Sequence, residues 1–366
     1  MRILDLRPKT VRLMSSLWGG GSPIRGQLAD DPGSGSLPGR LAGRIADDLM
    51  VRRIGGRTKA QQGPLVVSVG NLALGGTGKT PVVTTLAAEL ADGGRTGAIL
   101  TRGFGSPLAG PLIVEPENLL AGDEARMMAG ALTGSGWTVV QARRRHRGLD
   151  FLLAKDPGLD IVIVEDGHQT ARVGRDLDIV ILDAWLLVSD AGVNHVRPLT
   201  GPVFPFGPWR ESAAGAFRAG IWLLETEEVD LPGGAGGQEV VTFQRRLTLR
   251  GPGGETAPDL SGKRPAVLSG IARPEAFESS LGRVMENEPI LAVRCGDHAR
   301  YAPRLVAEIS GAVRGAGADF LVTTAKDWVK LEPFWGDAVP VLVADLQISW
   351  GSGKTLSAMV EERLES

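Results

Sequence analysis

A glycine-rich turn between an apolar strand and a helical pattern is the feature that most limits how this chain can fold. The apolar residues 65–67 lead into Ser-Val-Gly-Asn-Leu-Ala-Leu-Gly-Gly-Thr-Gly-Lys-Thr-Pro at 68–81, and apolar residues then recur at helical spacing as far as residue 90. Glycines let backbone N–H groups converge on phosphate oxygens, and a helix N-terminus adds positive potential. The segment therefore predicts a P-loop, although a chance glycine turn followed by Lys-Thr would look the same.

The residues of this loop have distinct predicted tasks. We expect Lys79 to reach the β- and γ-phosphates of ATP and Thr80 to offer its hydroxyl to Mg²⁺. Ala73 stands where the usual pattern has its first glycine. The rest of the phosphate cradle is assigned to the residues that precede the lysine, which are Gly75, Gly76, Thr77 and Gly78.

Length and composition exclude several classes of protein. A chain of 366 residues has room for two domains of ordinary size. Its formal net charge of -2 argues against a nucleic-acid partner. With Cys295 as its one cysteine, the chain can form neither an internal disulfide nor a multi-cysteine zinc site, which fits a reducing cytosol. We find no run of 18 apolar residues that would predict a transmembrane helix.

Residues 1–62 differ in composition from the rest of the chain. Apolar residues alternate with arginines on both sides of a stretch rich in Gly, Pro and Ser at 19–39. A basic amphipathic segment of this kind can lie in a membrane interface. The alternative is a helix that packs on its own domain with its arginines in water.

From residue 63 onward the sequence alternates strand and helix patterns. Short aliphatic runs at 65–69, 97–101, 138–142, 160–164 and 178–183 predict strands covered on both faces, with helices at 81–90 and 124–132. This order is typical of a doubly wound parallel sheet, an α/β fold of the P-loop NTPase type. We place that domain at 63–230, a linker with an extended piece at 231–262 and a second, smaller α/β domain at 263–366.

Carboxylates at two predicted element ends suggest phosphoryl-transfer chemistry. Four aliphatic residues lead into Glu165 and Asp166, as in a Walker B strand whose acidic end holds Mg²⁺. An acidic turn after a structural strand is the alternative. Asp123 opens a predicted helix, where it can be an N-cap or a general base that accepts a hydroxyl proton.

Three further groups have both a structural and a functional interpretation. The Arg-Arg-Arg-His-Arg segment at 143–147 is either a solvated helix start or a site for substrate phosphate. Arg210 and Glu211 follow a proline-rich loop and form either a simple ion pair or part of a phosphate site. His298 is either a structural histidine or a proton-sharing partner of a catalytic carboxylate.

Taken together, the motifs resemble tetraacyldisaccharide 4'-kinase, the lipid A 4'-kinase of Gram-negative bacteria. The Asp-Gly-His-Gln, Gly-Pro-Trp-Arg-Glu and Ser-Gly-Ile-Ala segments are the most specific, and Glu165 stands where the family usually has aspartate. The matching segments occur in family order at residues 69–71, 75–81, 101–105, 122–125, 165–169, 175–177, 208–211, 269–274, 297–298 and 324–327.

The resemblance implies a P-loop kinase of two α/β/α domains in lipid A biosynthesis. It would transfer the γ-phosphate of ATP to the 4'-hydroxyl of tetraacyldisaccharide 1-phosphate, as a peripheral protein at the cytoplasmic face of the inner membrane. The implied partners are the lipid disaccharide and the membrane surface, with no nucleic acid. The implied residues are Asp123, its partner His298, Lys79 and Asp166 for catalysis; Gly75–Thr80 for ATP; Thr80, Glu165 and Asp166 for Mg²⁺; and Asn71, Arg102, Arg210 and Glu211 for the lipid.

Two other nucleotide-binding classes compete with this interpretation. Partitioning-type ATPases usually have a lysine two residues before the second loop glycine, where this chain has Leu74. GTPases need an Asn-Lys-x-Asp motif, and Thr-Ala-Lys-Asp at 324–327 does not match its spacing. The sequence therefore favours the kinase.

Overall fold

The computed structural model describes most of the chain beyond the N-terminal region. The described ranges are residues 1–6, 63–74, 78–170, 172–190, 192–204, 207–228, 231–271, 274–282, 284–285, 287–297, 299–351 and 353–366. Gly75, Gly76, Thr77 and His298 lie outside them, as does residue range 7–62, so the predictions made for these positions stay predictions.

The described ranges form alternating strands and helices. The strands are β1 (Arg2–Asp5), β2 (Leu65–Asn71), β3 (Gly97–Thr101), β4 (Leu112–Ile113), β5 (Thr138–Gln141), β6 (Ile161–Glu165), β7 (Leu177–Leu182), β8 (Trp185–Asp190), β9 (Val193–Pro198), β10 (Ile221–Glu225), β11 (Glu239–Arg250), β12 (Pro265–Ser269), β13 (Leu291–Arg294), β14 (Phe320–Thr324) and β15 (Val341–Trp350). The helices are α1 (Lys79–Asp92), α2 (Asp123–Ala131), α3 (Arg145–Lys155), α4 (Pro274–Leu281), α5 (Pro303–Gly315), α6 (Ala325–Trp335) and α7 (Leu356–Glu365), with a 3₁₀ turn at Ala213–Arg218.

The chain divides into two compact units. The larger unit holds the described residues of 63–245 and 348–366, and the smaller holds residues 1–6 and 246–347. In the larger unit the strand order is β11-β10-β7-β2-β6-β3-β5-β4, and every neighbouring pair except β4–β5 is parallel. In the smaller unit the order is β1-β13-β12-β14-β15, with all pairs parallel. The predicted α/β fold is confirmed.

Strand β2 shows why the aliphatic runs are nearly continuous. Val67 and Val69 pack into a core that contains Leu86 of α1, whereas Val66, one step along the strand, packs into a second core with Leu152 of α3. Successive side chains of a strand point to opposite faces, so a strand with helices on both faces needs apolar residues at both parities.

The units differ from the predicted domain limits at both chain ends. Residues 2–5, predicted within the amphipathic segment, form strand β1 beside β13. Helix α7, predicted within the second domain, packs Leu356 and Val360 into the core of the larger unit. The antiparallel hairpin β8–β9 was not predicted. Of the described helices, none is long and apolar enough to cross a bilayer.

A buried carboxylate ties together the strand ends of the smaller unit. Asp327 is fully buried and accepts hydrogen bonds from the Gly270 amide at 2.8 Å, the Tyr301 hydroxyl at 2.9 Å and the Thr324 hydroxyl at 2.7 Å. Gly270 follows β12, Tyr301 lies in the segment after β13 and Thr324 is the last residue of β14. One side chain therefore connects the ends of three strands. A Cβ atom on Gly270 would lie 2.6 Å from both Asp327 Oδ1 and the Tyr301 hydroxyl oxygen.

We therefore expect Gly270→Ala to lower the free energy of unfolding by about 1–3 kcal/mol, because the added methyl group displaces a buried hydrogen-bonded carboxylate. Urea denaturation measures this difference. Gly311 in α5 is the matched control, since a Cβ there meets nothing within 4 Å. Gly311→Ala should leave stability unchanged or raise it by up to about 1 kcal/mol. Equal stability of the two variants would contradict the prediction.

Candidate active site

The carboxyl end of β2 is built around a buried amide. Asn71 is fully buried, and its Nδ2 atom donates to the Ala73 carbonyl at 2.8 Å and to Asp183 Oδ2 at 3.2 Å. Gly70 beside it is required by a close approach, because a Cβ there would lie 2.5 Å from the Cβ of His168. The end of β2 is thus held from two neighbouring segments.

Lys79 is the first residue of α1 and reaches back to this strand end. Gly78 before it has φ of 74°, a left-handed conformation that glycine adopts without strain. The Lys79 Nζ atom donates to Asn71 Oδ1 at 2.9 Å and lies 3.4 Å from Asp166 Oδ1. The amide and the carboxylate fix the lysine that was predicted to bind phosphate.

Asp166 follows β6 and is shared between two cations. Arg210 Nη1 donates to its two carboxylate oxygens at 2.7 and 2.9 Å, in addition to the Lys79 contact. Burial alone would raise the pKa of Asp166, but the charges of Lys79 and Arg210 outweigh it and lower the pKa. Asp166 is therefore ionised at neutral pH.

Glu165 has a different environment although it is the adjacent residue. It is 4% exposed, and its Oε2 atom accepts a hydrogen bond from the Thr101 hydroxyl at 2.9 Å. Burial, followed by the negative charges of Asp166 and Glu124, raises its pKa to about 7. The predicted acidic pair thus consists of one firmly ionised and one readily protonated carboxyl group.

A basic pocket of about 320 Å³ opens beside Asp166. Arg145 Nη2 donates to the main-chain oxygen of Asp166 at 3.2 Å, so the first turn of α3 joins the acidic strand end. Arg forks match the geometry of phosphate oxygens, which makes the pocket suited to a phosphorylated ligand. It is lined by Arg102, Arg143, Arg144, Arg145, His146, Asp166, Gln169, Thr170, Arg172 and Arg210.

Glu211 is fully buried and is absent from that lining, unlike its neighbour Arg210. Its carboxylate accepts from Gln169 Nε2 and from Arg218 Nη2, both at 2.7 Å. Gln169 Nε2 also donates to the Asn71 carbonyl at 2.8 Å. Glu211 is therefore placed to orient Gln169, and Asn71 is placed to orient Lys79.

Asp123 begins α2 on a loop fixed by Gln141. The Gln141 side chain accepts from the Gly122 amide at 2.8 Å, and Gly122 packs so closely on Gly103 that a Cβ would lie 2.9 Å from its Cα. Asp123 itself is partly exposed. Gln141 was not among the residues predicted for the site, although its place at the carboxyl end of β5 could have indicated it.

The described residues include no group of three or more His, Cys, Asp or Glu side chains suited to a metal ion. The oxygen donors nearest to such a role are the predicted ones. Thr80 is the second residue of α1, Glu165 is the last residue of β6, and Asp166 follows it.

Comparison with known proteins identifies the family. A family model for tetraacyldisaccharide-1-P 4'-kinase matches residues 45–365. The chain belongs to this family. The tetraacyldisaccharide 4'-kinase of Methylorubrum populi is 34% identical over 312 residues, covering 83% of this chain and 88% of the relative. That of Geobacter metallireducens is 34% identical over 312 residues, covering 82% and 88%.

A solved structure shares the fold of this kinase family member. LpxK from Aquifex aeolicus, crystallised in complex with ATP, is 24% identical, with a TM-score of 0.65 over 89% of this chain and 96% of that chain. The resemblance inferred from the motifs is confirmed.

A buried arginine holds the loop that follows Asp166 in this family member. Arg175, with a side chain 6% exposed, donates to Ser68 Oγ at 2.8 Å, the Gly167 carbonyl at 2.8 Å, Asp178 Oδ1 at 3.0 Å and the His168 carbonyl at 3.0 Å. It thereby holds the loop after Asp166 against β2 and β7.

Replacing Arg175 by lysine should lower the free energy of unfolding by about 1–3 kcal/mol, because an ammonium cannot span acceptors that are arranged for a planar fork. Urea denaturation tests this. The control is Arg147→Lys, at an exposed position of α3, which should change stability by less than about 0.5 kcal/mol. Wild-type stability of Arg175→Lys would show that the fork is dispensable.

Proposed function

We propose that the chain transfers the γ-phosphate of ATP to the 4'-hydroxyl of a tetraacyldisaccharide 1-phosphate, forming the 4'-phosphorylated lipid A precursor. The observation that carries the proposal is the chain of contacts from Asn71 through Lys79 and Asp166 to Arg210, which joins the P-loop to a pocket lined by arginines. Phosphoryl transfer needs little besides positioning and compensation of negative charge, and both are built here.

At the nucleotide end, Lys79 supplies positive charge to the phosphates. Its ammonium is already held by Asn71 and Asp166, so little side-chain entropy is lost when ATP binds. The backbone of Gly75–Gly78 and the hydroxyl of Thr80 complete the proposed phosphate cradle.

The donor set at the end of β6 fits Mg²⁺, which binds one or two carboxylates and otherwise phosphate and water oxygens. Thr80 and Asp166 would hold the ion, with Glu165 beside them. When bound, it would neutralise charge on the β- and γ-phosphates. Because Asp166 is ionised in the free protein, it needs no deprotonation before binding.

At the acceptor end, the arginine pocket binds the phosphate that the substrate already carries. Asp123 accepts the proton of the attacking hydroxyl, from a loop that Gln141 fixes. Its predicted pairing with His298 stays a prediction, since residue 298 lies outside the described residues.

Exposed apolar side chains on loops that are connected to the pocket residue Arg143 through Ser106 support a lipid substrate. Phe104, Leu119 and Leu120 are 61%, 58% and 57% exposed. Their loops adjoin, since Ser106 Oγ donates to the Leu120 carbonyl at 2.6 Å. A basic pocket flanked by exposed apolar residues suits a phosphorylated, acylated molecule at a membrane surface. We assign this surface to the cytoplasmic face of the inner membrane, where the protein would be peripheral.

Transfer of labelled γ-phosphate from ATP to tetraacyldisaccharide 1-phosphate in Mg²⁺-containing detergent micelles tests the proposal. Wild-type protein should label the lipid. Lys79→Ala and Arg210→Ala should each lower kcat by about 10²–10³, because each removes a charge that stabilises the transferring phosphoryl group. Asp123→Asn should lower kcat by about 10²–10⁴ through loss of the base.

Lys155→Ala, at an exposed position of α3, serves as the control and should retain full activity. ATP hydrolysis by the wild-type protein without any labelled lipid would overturn the proposal. Full activity of Lys79→Ala would exclude the assigned nucleotide site.

A further inference from the structure

In the larger unit, the P-loop strand β2 has different strands on its two sides. On one side lie β6, β3 and β5. The segments after these strands contain Asp166, Arg102 and Arg145, respectively. On the other side of β2 lie β7, β10 and β11. If phosphates bind at β2 and the acceptor approaches from the β6 side, the nucleoside must extend toward β7, β10 and β11.

Arg245 of β11 lies at the P-loop on that second side. Its guanidinium covers Gly78, where a Cβ atom would lie 2.7 Å from Nη1, 2.8 Å from Cζ and 3.2 Å from Nε. Because all three guanidinium atoms are this close to the Cβ position of Gly78, the whole group, and not one nitrogen alone, lies alongside the last glycine of the loop.

The guanidinium is held in this place by two neighbours. Its Nη2 atom forms an ion pair with Glu225 Oε2, at the end of β10, at a distance of 2.9 Å. Its Cζ atom lies 5.6 Å from the centroid of the buried Phe243 ring. The arginine is thus oriented from the protein side by one acidic and one aromatic side chain.

We propose that Arg245 is a nucleotide-binding residue whose guanidinium plane stacks on the purine ring of ATP beside Gly78, with Glu225 fixing the orientation of that plane. A guanidinium face binds aromatic rings through cation–π attraction and stacking, which a lysine ammonium cannot reproduce as a plane. The inference rests on the proposed use of ATP, but not on the identity of the phosphate acceptor.

Calorimetric titration of the full chain with ATP, and separately with inorganic tripolyphosphate, tests the assignment. Arg245→Ala should weaken ATP binding about tenfold while changing tripolyphosphate binding less than about twofold, because only ATP carries a base. Arg245→Lys keeps the charge and loses the plane, so it should also weaken ATP binding selectively. The charge-matched control is Arg246→Ala, at the exposed neighbouring position, which should bind both ligands like the wild type.

If Arg245→Ala lowered the affinity for ATP and for tripolyphosphate equally, Arg245 would act on the phosphates. If its affinity for ATP were unchanged, Arg245 would have no contact with the nucleotide. Either result overturns the inference. Urea midpoints establish which variants fold, and Arg245→Lys decides the matter if the alanine variant does not. The Arg245 variants could lose ATP affinity selectively while the wild-type protein fails to phosphorylate the lipid. That combination would refute the proposed acceptor but would still support the role of Arg245 in nucleotide binding.

Discussion

The sharing of one carboxylate between two cations is the interaction on which the site depends. Asp166 contacts Lys79 from α1 and Arg210 from the loop after β9, so it joins segments that are far apart in the chain. Its φ of 51° is a left-handed conformation that is uncommon for a residue with a side chain. This strained backbone conformation persists because Lys79 and Arg210 both hold the carboxylate in place.

The loop that follows this carboxylate is held by buried polar groups. His168 is fully buried between Asp178, 3.0 Å from Nδ1, and the Gly215 carbonyl, 3.0 Å from Nε2. Arg175 satisfies the carbonyls of the same loop. A buried polar network is tolerable only when its members find partners, and its directional bonds fix the loop more narrowly than apolar packing could. The hydrogen bonds of His168 and Arg175 therefore fix the loop that follows Asp166.

Much of the fold could be predicted from local patterns. The five strands predicted between residues 65 and 183, and helices α1 and α2, agree with the structure to within about two residues at each end. Strand β1 and the hairpin β8–β9 could not be predicted in this way, because their partners decide whether a short run pairs. Similarly, α7 contacts a core built more than two hundred residues earlier, which no local pattern reveals.

The sequence by itself determined the P-loop, the parallel α/β architecture and the kinase family, because each depends on residue types at fixed short spacings. Only the tertiary structure decided what the individual side chains do. Adjacent residues have different environments. Arg210 lines the pocket, whereas Glu211 is buried. Asp166 is ionised, whereas Glu165 is readily protonated. Burial and charge at each position are set by contacts across about a hundred residues, such as that of Gln169 with Asn71.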